Sequence, residues 1–210
     1  MRGRGFDEQP AGSSVAGMTA DAALDGGPRA VVLVEGLSDQ LALEVLARRR
    51  GRDLSAEGVA VIAMHGATNL GRHLERYGPG GLDVRLAGLC DAAEEDYFRR
   101  AFWRAGIGAG ESRAAMEALG FFVCTLDLED ELIRALGTDA VEQVIEEQGE
   151  LRSLRILQRQ PALRGRPAHD QLRRFMSGRS GNKHRYARLL ADAVDLDRVP
   201  RPLNGVLARV

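Results

Sequence analysis

Val31-Val32-Leu33-Val34-Glu35-Gly36-Leu37-Ser38-Asp39 is the stretch on which the fold of this chain turns. Four aliphatic residues run without a polar break into a carboxylate, a glycine and a residue suited to cap a helix. A run of that length without alternation predicts a strand buried on both faces, as in a parallel sheet. Ser38 is the expected N-cap, and Leu41, Ala42, Val45 and Leu46 recur at helical spacing through 40–50. The stretch therefore reads as strand, tight turn and helix. Glu35 falls at the carboxyl end of the strand, where open α/β sheets place their ligands. Gly36 permits close approach of backbone or substrate. Asp39 falls in the first helical turn, on the side of Glu35. The plain alternative for these acids is a solvated loop residue, or a carboxylate favoured by the helix dipole.

Working outward, the same pattern recurs. Apolar runs at 58–64, 84–90 and 120–125 predict three more strands, separated by helical stretches such as 69–77. Strands alternating with helices mean a parallel sheet with right-handed crossovers. Phe98, Phe102 and Trp103 lie on the helix after the third strand and are expected in the core. His65, at the end of the second strand, is expected to bond backbone rather than a ligand. Past the fourth strand helices dominate, at 132–136, 140–148, 151–158, 168–175 and 183–193. The expected organisation is a disordered arm over 1–28, an α/β domain of about four strands over 29–150, and a basic helical extension over 151–210.

Composition narrows the class. At 44% hydrophobic and 28% charged residues the chain is ordinary for a globular protein, and 210 residues suffice for a real core. No apolar run approaches a membrane span, and no apolar stretch follows Arg2 and Arg4 as a secretory leader requires. Cys90 and Cys124 each end an apolar run and lack a CxxC or histidine neighbour. Buried thiols in a reducing cytoplasm are expected, not a disulfide or a zinc site. Of 29 basic residues, Lys183 alone is not arginine. The net charge of -1 hides an asymmetry: residues 91–150 hold 15 acids and 5 bases, whereas 151–188 hold 11 bases and Asp170 alone. Either stretch could be mere solvated surface, or together they form a metal site beside a phosphate-binding surface.

Three of the four predicted strands end in carboxylates: Glu35, Asp91, and the pair Asp127 and Glu129. A parallel sheet gathers all three sets at one edge. Carboxylates held together repel, and oxygen-only ligands point to Mg²⁺ or Mn²⁺. Glu35 precedes the expected cap, so the helix dipole does not account for it.

In that order the residues resemble a Toprim domain, the catalytic fold of topoisomerases, bacterial primases and overcoming-lysogenization-defect (OLD) nucleases. The Val34-Glu35-Gly36 turn is similar to the Toprim glutamate motif, and Ser38-Asp39 resembles its OLD form. Gly66 matches the glycine after the second strand and Asp91 the first acid of Asp-x-Asp. Glu129 resembles the later OLD carboxylate, and Lys183, before Tyr186-Ala187, the OLD lysine. The resemblance spans roughly 30–193. Two departures stand out: Ala93 replaces the second acid of Asp-x-Asp, and no G-x-x-x-x-G-K-[ST] loop of an ATPase is present.

The resemblance implies a Mg²⁺- or Mn²⁺-dependent endonuclease using one or two ions. Glu35, Asp39 and Asp91 would be ligands, with Asp127 and Glu129 at a second ion and Glu94 or Glu95 in place of the missing acid. Glu35 is alternatively the general base, and Lys183 steadies transition-state charge. Arg173, Arg174, Arg179 and Arg185 are candidates for backbone phosphates. DNA is the expected polymer, in the cytoplasm, with an ATPase in trans and a second copy of the chain as further partners. The competing readings are a non-catalytic Toprim module that binds nucleic acid or protein, favoured by Ala93, and a response-regulator-like receiver. The receiver is disfavoured because the first strand ends in Glu-Gly instead of an acidic pair.

Overall fold

A strand with no polar residue on either face must be covered on both, and the sheet is built to do so. In the computed structural model, which describes residues 27–108, 112–178 and 181–210, β1 (Ala30–Val34) is buried along its whole length. It lies between β2 (Val59–Ala63) and β3 (Arg85–Cys90), and β4 (Phe121–Val123) completes the order β2-β1-β3-β4. Every pairing is parallel, and the register sets Val34 level with Ala63 and Leu89. The residues that follow β1 and β3 therefore emerge at one edge. β3 must pass close to both neighbours: a Cβ on Gly88 would stand 2.5 Å from the Phe121 ring and 2.6 Å from the Leu33 carbonyl oxygen.

Alternation along β1 assigns the covering layers. Val31 and Leu33 face a core made with α2 (Leu70–Tyr77), α3 (Glu95–Arg104) and α4 (Arg113–Ala118). Ala30, Val32 and Val34 face the larger core. It draws on α1 (Leu37–Arg49), α5 (Leu128–Leu136), α6 (Thr138–Glu147) and α7 (Leu151–Gln158). It also takes in α8 (Ala168–Ser177), α9 (Asn182–Ala193) and α10 (Arg201–Arg209). The basic segment after residue 151 thus covers one face of the sheet. Arg49 donates to the carbonyls of Ala191 and Val194, and Arg52 to those of Leu207 and Val210, tying the end of α1 to the last two helices.

The expected α/β class and parallel sheet are observed. Ser38 is not the cap: Gly36 holds that position, and Ser38 is buried inside the first turn of α1. Asp39 does the capping work by reaching back to the Gly36 N–H at 2.9 Å. Phe98 and Phe102 are fully buried as expected, but Trp103 is 79% exposed, because one further residue rotates it off the core face. Cys90 and Cys124 are buried free thiols. Residues 1–26 of the expected arm lie outside the described residues.

Candidate metal centre

The turn after β1 is fixed from both sides. Gly66, at φ 112 where only glycine is at ease, donates its N–H to the Glu35 carbonyl at 3.1 Å. The side chain of Asn69 steadies the turn after β2, from which Gly66 donates, by bonding the Met64 carbonyl at 2.8 Å. Glu35 is left half-buried outside α1, and its Oε2 is enclosed with no hydrogen-bond partner. Burial raises its pKa, with Asp39 and Glu94 adding to the rise. Burial likewise raises Asp39, against the Gly36 N–H and Lys183.

Asp91 follows β3 and is drawn toward the acids beyond β4. Ala92 N–H bonds the Leu126 carbonyl at 3.0 Å, and Cys124 N–H bonds that of Cys90 at 2.9 Å, so the two loops run together. Burial, then Asp39 and Glu35, push the Asp91 carboxyl up to about 8. Its neighbour Glu95 faces elsewhere and is paired with Arg113 at 2.5 Å. Glu94, beside Ala93, is the acid that Glu35 feels.

The acids opening α5 are in different company. Asp127 is the N-cap, its Oδ1 accepting from Asp130 N–H at 2.8 Å while its Oδ2 is bound by Arg173. Asp130 is held at 2.8 Å by both Arg134 and His169, and Glu131 by Arg134 at 2.8 Å and by Thr125 N–H at 2.7 Å. Glu129 differs. It is only 4% exposed, Lys183 Nζ stands 3.4 Å from its Oε2, and its Oε1 has no partner. Burial, opposed by Lys183, puts its carboxyl up to about 7. Lys183 arrives on the first turn of α9. Burial works against its charge, but Glu129, Asp39 and Asp91 outweigh that and raise its pKa. Beside it, Asn182 is buried with an unpartnered Nδ2, a feature with no local sequence signal.

The structure thus brings Glu35, Asp39, Asp91, Asp127, Glu129 and Lys183 into mutual electrostatic reach, and leaves Glu95 tied to Arg113. Of the arginines, Arg173 is bound to Asp127 and Arg185 to Glu150, Arg174 is exposed, and Arg179 lies outside the described residues. Among the described residues no three His, Cys, Asp or Glu side chains converge tightly enough to enclose an ion as they stand. The donor set still fits a hard divalent cation. It is all oxygen, and two buried carboxylate oxygens, Glu35 Oε2 and Glu129 Oε1, lack any partner. A groove of about 540 Å³ between Arg85, Phe102, Phe121 and Arg209 lies at the opposite edge of the sheet.

To this acid-rimmed parallel sheet with a lysine delivered by a C-terminal helix the comparisons add a family likeness. Residues 28–92 match the family model of the overcoming lysogenization defect protein-like TOPRIM domain. The C-terminal region of the Xanthomonas campestris pv. campestris OLD protein, phased with mercury, superposes with TM-score 0.66 at 25% identity, covering 87% of this chain and 94% of that one. The C-terminal region of the Burkholderia pseudomallei OLD protein gives 0.64 at 20% identity, covering 87% and 96%. Over residues 28–92 the chain is similar to an OLD-like Toprim domain, and its fold is that of the C-terminal regions of these OLD proteins. No curated protein matches it. Among the described residues no helix is long and apolar enough to cross a membrane.

Proposed function

We propose that this chain hydrolyses nucleic-acid phosphodiester bonds with a divalent cation held by Glu35, Asp39 and Asp91. The observation that carries this reading is the uncompensated charge of those three acids. They emerge from adjacent strands, burial and mutual repulsion raise their pKa values, and the lysine they feel is 3.4 Å from a fourth acid, Glu129. Mg²⁺ or Mn²⁺ there would polarise the phosphate and acidify a bound water. Glu35, whose Oε2 has no hydrogen-bond partner, would alternatively take the water proton as general base. Lys183, charged and half-exposed, steadies the developing negative oxygen. Asp127 and Arg173 hold α5 and α8 in place around Glu129, while Arg174 is free to meet backbone phosphate. DNA is the expected polymer, with an ATPase in trans or a second copy as partner.

Ala93 favours a second reading, a module that binds nucleic acid without cutting it. Incubation with supercoiled plasmid decides between them. The expected result is nicking that is faster with Mn²⁺ than with Mg²⁺, since Mg²⁺ demands a complete octahedral set. Nicking should stop in EDTA and in Glu35→Gln. Cleavage that survives EDTA would overturn the mechanism, and plasmid binding without cleavage in either metal would establish the second reading.

A further inference from the structure

The sheet face opposite the C-terminal helices carries a surface that the acid edge does not use. Phe98 and Phe102 of α3 meet Phe121 edge-on in the core, and Trp103, the next residue, points outward. It is the chain's one tryptophan and, among the described residues, the one large apolar side chain exposed on α2 or α3.

Arginines share its helix and the neighbouring one. Helical spacing sets Arg99 and Arg100 one turn before Trp103 on its own side. Arg104 follows it, and Arg72 and Arg76 are exposed on α2, which packs beside α3 in the same core. The ion pairs made by α2 and α3 among the described residues are Arg99 with Asp96 and Glu95 with Arg113. Arg72, Arg76, Arg100 and Arg104 have no acidic partner there. Arg76 and Arg100 lie over the Tyr77 and Tyr97 rings at 5.1 and 6.0 Å, which orients their guanidinium groups without neutralising them.

A protein partner of ordinary kind would ask for an apolar patch larger than one ring. A base attached to phosphates asks for what is present: a flat aromatic face set among unpaired cations. We propose that single-stranded nucleic acid crosses the outer face of α2 and α3 with a base stacked on Trp103. α3 starts just after Asp91 and runs away from the acid edge, so at 1.5 Å per residue Trp103 lies about 12 Å along the helix from Glu95. A strand held at the acids reaches the ring within a few nucleotides. The ligand class rests on the nucleic-acid reading above.

Because there is one tryptophan, its fluorescence reports this surface alone. The whole chain in EDTA is titrated with an oligothymidylate, while the anisotropy of a labelled copy reports total binding. The expected result is quenching that saturates together with the anisotropy. Trp103→Ala should weaken binding by roughly tenfold to a hundredfold, and Trp103→Phe by much less. Unchanged fluorescence at saturating anisotropy, or Trp103→Ala binding as tightly as wild type, overturns the stacking and leaves the nucleic-acid reading standing. No anisotropy change at all overturns both. Fluorescence that changes with protein concentration alone assigns the ring to a second copy of the chain and overturns the proposal.

Discussion

The acids after β1 and β3 and those that open α5 are alike in kind and differ in company. Asp127, Asp130 and Glu131 are each met by a cation from α5 or α8, and Asp127 also caps its helix. Among the described residues Glu35, Asp39 and Asp91 are in an ion pair with none; one receives a backbone N–H and another has a buried oxygen with no partner. Burying a carboxylate without compensation costs stability. The first set is neutralised within the fold, and the second is what a bound cation would relieve. Lys183 stands on the border, 3.4 Å from Glu129 and pulled up by Asp39 and Asp91 as well.

That border gives the largest expected effect. If Lys183 merely balances Glu129, arginine should serve. If it serves the shared edge, a wide planar fork cannot replace a point charge on a flexible stem. Lys183→Arg should slow single-turnover cleavage about tenfold to a thousandfold, with substrate affinity and melting temperature little changed. Cleavage at the wild-type rate would move Lys183 to the neutralised set.

Substitutions that remove a charge should then act with opposite sign on the two sets. Asp127→Ala deletes a cap and strands Arg173, and should cost about 1–2 kcal/mol in denaturant unfolding. Glu35→Gln in the same metal-free assay should cost nothing measurable or stabilise. Equal destabilisation by both would erase the distinction.

A further effect is one of pH. The folded chain keeps a proton on Asp91 up to about pH 8, whereas the unfolded chain releases it near 3.8. Between those values the folded state binds more protons, so stability of the metal-free protein falls as pH rises. Glu129, at about 7, adds the same sign over a lower window. Melting in EDTA should be higher at pH 6 than above pH 8, Asp91→Asn should flatten the upper part of that slope, and Mn²⁺ should lift the high-pH end. A profile that rises with pH would contradict this assignment.

What the sequence made legible follows the range of each interaction. The strand and turn of 31–39 are local, and so is the descent of each acid to the carboxyl edge once the strands are parallel. Partners were not legible. Arg173 lies 46 residues from Asp127, and His169 lies 39 from Asp130. No spacing announces such pairs, so Asp127 looked as free as Asp91. The cap was misplaced by two residues because Gly36 and Ser38 both suit it, and only the Asp39 contact decides. Trp103 was misassigned because adjacent aromatics on a helix cannot share a face, and sequence alone does not say which one leaves the core.

The packing of α9 against α1 and the sheet has a consequence in time. All the acids of the edge have been synthesised by Glu131, and the lysine comes about fifty residues later, on a helix that also closes the larger core. At the ordinary pace of synthesis that is an interval of a few seconds. Throughout it the nascent chain holds acids without an ammonium and an uncovered sheet face. The lysine thus arrives with a late layer of the fold, so a chain interrupted before α9 lacks part of its larger core and the ammonium of the acid edge together.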